Sequence, residues 1–292
     1  MVKIGLSRPI GAPAYPIVDV DCGLLAVHAE AAGFESIFYG EHPIRPLDDP
    51  GRNVHSEGVP LYQDTLVALT RAAAMTKTIK VGGGVWLMPE HNPVAFAKQL
   101  ATLDYYTGGD RLLVGLGIGW SYVEITLLGG RFERRWGQMR EAVAIMKMLW
   151  TQDRVEFDGE FFKVPPVLCY PQPATKPHPP ILLGGRQDSL FPRIVDYADG
   201  WLAAFVTPED LAAGPATLRA RRAEVDALAA QKGRDPASIE FSAILDGQDI
   251  DAGVIRSFED TGAVTRLNVT LPFLQSVEEG YRAIDRLAKA VL

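Results

Sequence analysis

Ile79-Lys80-Val81-Gly82-Gly83-Gly84-Val85, a helical stretch from Pro93 to Tyr106, and Arg111-Leu112-Leu113-Val114-Gly115-Leu116 follow one another as strand, helix and strand. Asn92 and Pro93 supply an N-cap and a first helical residue, and Gly108-Gly109 stops the helix. Two strands separated by a helix run in the same direction, so the unit belongs to a parallel sheet. The rhythm continues on both sides. Further strands are expected at Val2 to Ser7, Ser36 to Tyr39, Ile181 to Leu183, Gly200 to Ala204, Ile239 to Ala243 and Arg266 to Thr270. Further helices are expected at Asp19 to Ala32, Tyr62 to Met75, Glu133 to Trp150, Leu190 to Tyr197, Pro208 to Gln231, Ala252 to Thr261 and Val277 to Val291. Eight strand–helix units in 292 residues predict an α/β fold, a single (β/α)8 TIM barrel occupying residues 1–292. A doubly wound sheet is the competing arrangement.

Two segments exceed ordinary connections. Glu41 to Leu61 carries Pro43, Pro46, Pro50, Gly51 and Gly58, and a loop of this length in a compact domain is usually functional or mobile. Residues 152–180 form an excursion between the fourth helix and the fifth strand. Its start, Val155-Glu156-Phe157-Asp158-Gly159-Glu160-Phe161, alternates around Asp-Gly and predicts a hairpin. Its end carries seven prolines between Pro165 and Pro180, too many for a helix or a central strand.

Composition narrows the function. Hydrophobic residues at 47% and charged residues at 22% are globular values, which excludes a disordered solvating chain. With 29 basic against 36 acidic residues the net charge is -7, unsuited to a broad nucleic-acid footprint and suited to small-molecule substrates. Cys22 and Cys169 stand far apart, so neither a disulfide framework nor a paired-cysteine metal site is expected. No run approaches a membrane span and Met1 to Ser7 lacks a signal-peptide core, so a cytoplasmic location is expected.

Barrel chemistry sits at the C-terminal strand ends, which ranks the remaining residues. The second strand ends in Glu41-His42. His42 is a candidate acid or base because an imidazole ordinarily titrates near neutrality, set against a solvated loop histidine. Glu41 is a second catalytic candidate, set against a surface carboxylate. Gly82-Gly83-Gly84 weakens a strand interior and needs a reason: close approach of a ligand, or a wall too crowded for a Cβ. Gly115-Leu116-Gly117-Ile118-Gly119-Trp120 is an imperfect dinucleotide fingerprint and reads better as a glycine-lined mouth. Gly184-Gly185-Arg186-Gln187-Asp188-Ser189 runs into a helix. Ser189 as N-cap, two exposed glycine amides and Arg186 make an anion site, which Asp188 opposes; an ordinary tight turn is the alternative. His28, His55, His91 and His178 show no ligand spacing, so no metal is expected.

Five stretches together resemble the luciferase-like monooxygenase superfamily, and in particular its members that use the deazaflavin coenzyme F420. They are Ala31 to His42, Asp64 to Leu69, Ala97 to Asp104, Gly115 to Trp120 with Glu124, and Pro177 to Ile181 continuing through Gly184-Gly185 to Asp199-Gly200-Trp201. The resemblance is collinear over about residues 2–205.

The resemblance implies a barrel that holds its cofactor across the C-terminal face. Gly83, Gly84 and Val85 would form the bulge beneath the ring system, with a non-prolyl cis peptide at Gly84-Val85. Gly117 and Gly119 would line the mouth, and Gly184, Gly185, Arg186 and Gln187 would meet the phosphate, although Gln187-Asp188 replaces a Ser-Pro pair common in relatives. His42 would be the acid–base histidine. The implied activity is hydride transfer between F420 and a small organic substrate. Its alternatives are an FMN-dependent monooxygenase using oxygen and reduced flavin from a separate reductase, and a non-catalytic flavin or F420 carrier. Arg45, Arg52, Arg131, Arg134 and Arg135 would be the rim cations for the anionic F420 tail, and relatives of this kind are often homodimers.

Overall fold

The computed structural model of the chain describes residues 2–8, 20–44, 46, 48–49, 63–246 and 250–292. In order the elements are β1 (Lys3–Ser7), α1 (Cys22–Ala32), β2 (Ser36–Tyr39), α2 (Thr65–Met75), β3 (Lys80–Gly83), β4 (Trp86–Leu87), α3 (Pro93–Thr107) and β5 (Leu112–Gly117). Then follow α4 (Tyr122–Leu127), α5 (Arg135–Thr151), β6 (Val155–Asp158), β7 (Lys163–Val167), β8 (Ile181–Gly184), α6 (Leu190–Tyr197), β9 (Gly200–Phe205), α7 (Pro208–Gln231), β10 (Glu240–Leu245), α8 (Ala252–Glu259), β11 (Arg266–Thr270) and α9 (Val277–Val291). Short polar side chains set the helix starts. Asp21, Asp64, Asn92, Ser121, Thr207, Asp251 and Ser276 each accept a hydrogen bond from a first-turn amide. Gly33 and Gly108 end α1 and α3 at φ 98° and 78°, a conformation that a glycine adopts without penalty.

Every barrel pairing is parallel, in the ring β1–β2–β3–β5–β8–β9–β10–β11 and back to β1. The β3–β5 pairing, Val81 opposite Leu112, closes it. The chain is therefore an α/β TIM barrel. Its interior changes character with height. At the N-terminal end Ser36 Oγ donates to Asn268 Oδ1 at 3.0 Å, in a space that a Cβ on Gly5 would fill. Phe38, Leu113, Leu182, Leu202 and Ile244 form the apolar middle layer. Above them the wall is largely glycine.

Local differences from expectation have tertiary causes. The strand expected from Ile79 to Val85 is broken: β3 ends at Gly83, β4 begins at Trp86, and the Gly84–Val85 peptide between them is cis, as the resemblance implied. Helix α4 has only six residues, too few for a periodic pattern to announce it. The hairpin exists as β6 and β7, but its turn spans residues 159–162. The Glu141 carboxylate accepts the amides of Glu160, Phe161 and Phe162 there and holds the wider turn. Most of the Glu41 to Leu61 loop, and the expected helix starts at Asp19 and Tyr62, lie outside the described residues.

Candidate active site

The C-terminal ends of β2, β3, β5, β8, β9 and β10 surround a cavity of about 280 Å3. Nine of the eleven residues singled out from the sequence line it: Glu41, His42, Gly84, Val85, Gly117, Gly119, Gly184, Gly185 and Gln187. Gly83 and Arg186 do not.

Val85 explains two of the glycines. A Cβ on Gly117 would fall 2.5 Å from Val85 Cγ2, and one on Gly184 would fall 2.6 Å from Val85 Cγ1. The valine is seated between β5 and β8, where only bare backbone leaves room, and it gives the cavity an apolar platform. Lower in the wall the crowded reading holds. A Cβ on Gly82 would lie 2.6 Å from the Phe38 ring, one on Gly83 2.2 Å from the Trp86 indole, and one on Gly115 2.0 Å from the Gly83 carbonyl oxygen. These three glycines serve packing.

His42 is held from two sides. Its Nδ1 lies 2.9 Å from Glu124 Oε2, and the Trp120 indole N–H donates to its Nε2 at 3.3 Å. An accepting Nε2 places the proton of the neutral ring on Nδ1, toward the carboxylate. Glu124 is buried at the third position of α4, whose cap Ser121 takes the Glu124 amide at 3.1 Å. Ile44 N–H donates to its other oxygen at 3.4 Å. Glu124 has no role that the sequence alone assigns; its signal is the Ser121-x-x-Glu124 helix-start pattern next to the glycine-lined mouth.

Glu41 does not join His42. Its Oε2 accepts the Leu87 amide at 2.7 Å and lies 2.9 Å from His91 Nε2, tying the end of β2 to β4. His91 stacks on Phe96 with ring centroids 4.3 Å apart.

The expected anion site is rearranged. Arg186 turns away from the mouth, donating from Nε to the Ala204 carbonyl at 2.9 Å and forming a two-pronged pair with Asp210 at 3.0 and 2.6 Å. It lines a separate cavity of about 110 Å3 with Arg221 and Phe191. Asp188 is paired with Arg221 at 2.5 Å, so its charge is offset from a direction the sequence did not reveal. Ser189 precedes α6 but makes no side-chain cap. Among the described residues the amides of Arg186, Gln187 and Asp188 reach no acceptor, so the anion-binding capacity at this turn resides in main-chain N–H groups.

Of the rim cations, Arg134 pairs with Glu160 at 2.8 Å, Arg131 lies over the Phe161 ring, and Arg135 donates to the Gly119 carbonyl at 2.7 Å. Arg45 and Arg52 lie outside the described residues. Among the described residues no group of three His, Cys, Asp or Glu side chains could hold a metal, and no helix is long and apolar enough to cross a membrane.

The cavity suits a flat ring system: an apolar side chain for one face, glycine backbone around it, unengaged amides at one end and a histidine at the edge. Comparison with known proteins points the same way. The family model for the luciferase-like monooxygenase matches residues 22–245. An uncharacterised protein of Mycobacterium tuberculosis (strain ATCC 25618 / H37Rv) is 36% identical over 191 residues, covering 63% of this chain and 66% of that protein, just under two thirds of its length. The FMNH(2)-dependent dimethylsulfone monooxygenase of Pseudomonas putida is 32% identical over 164 residues, covering 55% of this chain and 42% of that protein. Among solved structures, an F420-dependent secondary alcohol dehydrogenase in complex with an F420-acetone adduct superimposes with a TM-score of 0.75 at 18% identity, covering 99% of this chain and 98% of that one. At that identity the likeness is one of fold.

Proposed function

The chain belongs to the luciferase-like monooxygenase family, and from that premise we propose that it is an oxidoreductase moving a hydride between coenzyme F420 and a small organic substrate at the barrel mouth. The observation that carries this reading is His42, fixed by Glu124 and Trp120 at the edge of a cavity floored by Val85. The deazaflavin, when bound, supplies the hydride chemistry. The protein supplies the rest. Val85 would support the ring, with Gly84, Gly117, Gly119 and Gly184 leaving its edge unobstructed, and the amides of Gly185 to Asp188 would meet the phosphate together with Gln187. His42 Nε2 would take the substrate hydroxyl proton as the hydride leaves, the hydroxyl displacing the Trp120 N–H from its one lone pair, or return it in the reverse direction. Glu124 stabilises the imidazolium that forms and holds the ring in register.

A second reading, a monooxygenase that uses reduced FMN from a separate reductase and oxygen, is favoured by the identity to the dimethylsulfone enzyme. The platform and the main-chain amides suit either tricyclic ring. Fluorescence titration of the purified protein with F420 and with FMN separates the two. Tight F420 binding accompanied by hydride transfer to an alcohol or ketone panel is the expected result. Tight FMN binding with no F420 binding overturns the first reading, and tight F420 binding with no acceptor reduced favours a carrier. A cytoplasmic, homodimeric enzyme is the form we expect.

A further inference from the structure

The turn after β8 is tied down from behind at three residues. Gly185 sits at φ 142°, a region that favours glycine, and its carbonyl accepts the Trp201 indole N–H at 2.9 Å. Arg186 closes a fork on the next connection: Nε and Nη2 donate to the Ala204 carbonyl, and Nη1 and Nη2 donate to Asp210 at 3.0 and 2.6 Å. Asp188 meets Arg221, which lies over the Phe191 ring. Trp201, Ala204, Asp210 and Arg221 all belong to β9 and α7 and line the rear cavity of about 110 Å3. The peptide planes convert these ties into an orientation. In a trans peptide the C=O and the N–H that follows it point opposite ways, and the bonds of this turn are trans. A Gly185 carbonyl held against Trp201 therefore turns the Arg186 N–H away from the rear cavity. A Gln187 carbonyl that accepts the Leu190 amide at 2.8 Å likewise turns the Asp188 N–H away from α6. On the other side of the turn Gly184, Gly185 and Gln187 line the mouth.

We infer that Arg186 and Asp210 are positioning residues: the pair holds this turn so that its unengaged amides face the mouth, and from behind it decides how strongly the chain prefers a phosphorylated cofactor to its dephosphorylated form. This rests on the reading of the mouth as the cofactor site. The charge of Arg186 is already matched by Asp210, and its side chain lines the rear cavity and not the mouth. The phosphate meets main-chain amides whose direction is set in advance, so little ordering remains to be done on binding. A planar fork suits this task, because it fixes angles as well as distance, which a lysine ammonium does not. The guanidinium is 49% exposed, and an exposed pair adds little to global stability, so its loss is felt at the turn.

Fluorescence titration of FMN against riboflavin, and of F420 against the same deazaflavin cut before its phosphate, measures the preference. Asp210→Asn keeps the side chain's shape and removes the charge that holds the fork. It should lower the preference by about 10-fold while the dephosphorylated ring binds as it does to the wild-type protein. Arg186→Lys keeps the charge and loses the fork, and it should lower the preference as much. Were Arg186 itself the phosphate ligand, Asp210→Asn would free it and raise the preference, so a raised or unchanged preference overturns the inference. In the protein without cofactor, the NMR amide signals of Arg186, Gln187 and Asp188 should broaden in both variants as the turn loosens; unchanged signals also overturn it. Failure of both rings to bind the wild-type protein overturns the functional reading and the preference with it, a result distinct from rings that bind without discriminating.

Discussion

The indole N–H of Trp120 points at Nε2 of His42 across 3.3 Å, so the nitrogen that faces the mouth is an acceptor and the ring proton lies toward Glu124. As the acid–base group proposed above, His42 would depend on the carboxylate behind it. Glu124→Gln removes the charge that stabilises the imidazolium while keeping the side chain's shape. It should lower kcat by about 10²-fold, within the 10² to 10⁴ that a positioned acid–base group contributes, and leave KM nearly unchanged. His42→Ala should lose the full contribution. Steady-state kinetics on both variants checks this; a Glu124→Gln enzyme with wild-type kcat would remove the carboxylate from the mechanism.

Val85 and Gly184 make a second, steric prediction. Gly184→Ala puts a methyl group 2.6 Å from Val85 Cγ1, and overpacking of this kind costs about 1–3 kcal/mol. Val85→Ala removes the methyl group it strikes, so the double variant should recover much of the stability. Because Val85 is also the platform, the double variant should still bind the cofactor more weakly than the wild-type protein. Urea unfolding of the four proteins gives the coupling, and cofactor titration gives the binding cost.

Much of this was legible in the chain. Ser36–Tyr39, Arg266–Thr270, Leu190–Tyr197, Pro208–Gln231 and Val277–Val291 begin and end where the apolar period and turn residues place them, because those signals are local. The break between β3 and β4 did not show in the apolar pattern, since it depends on the Trp86 indole occupying the space beside Gly83, and it was the resemblance that placed it. The site shows the same division. Strand ends brought Glu41, His42 and the glycines to the mouth, but which carboxylate meets which histidine was hidden. Glu124 lies 82 residues from His42, Glu41 lies 50 from His91, and Asp210 draws Arg186 away over 24. Such partners follow from how the strand ends converge in space, which residue spacing does not encode.

Acid stability should depend on Glu30. One of its oxygens accepts the amides of Lys77, Thr78 and Ile79 and the Thr78 hydroxyl, binding α1 to the turn before β3. Desolvation opposes the charge, but these donors outweigh it and hold the carboxyl down at about 2, against an ordinary value of 4.5. A depressed folded value means stabilisation that is complete above pH 4.5 and lost as pH falls toward 2. Glu30→Gln should therefore destabilise the protein at neutral pH and lessen the decline between those limits. Denaturant midpoints measured from pH 6 to pH 2 test it; parallel curves for the two proteins would contradict it.

At the opposite end of the barrel, Arg266 is 1% exposed and holds two carboxylates. Its Nε and Nη2 donate to Glu35 at 2.8 and 3.1 Å, and Nη1 reaches Glu240. Arg266→Met leaves both acids beside a buried apolar group, and breaking a buried pair by removing one partner costs about 3–5 kcal/mol. Glu240→Gln should cost less, because Glu35 still neutralises the guanidinium and the glutamine oxygen still accepts. Neither change touches the strand ends that form the mouth, so cofactor affinity per folded molecule should stay at the wild-type value. Thermal unfolding and cofactor titration on the same preparations separate the two effects. A weakened cofactor in Arg266→Met at a temperature where it is fully folded would mean that the two ends of the barrel are coupled.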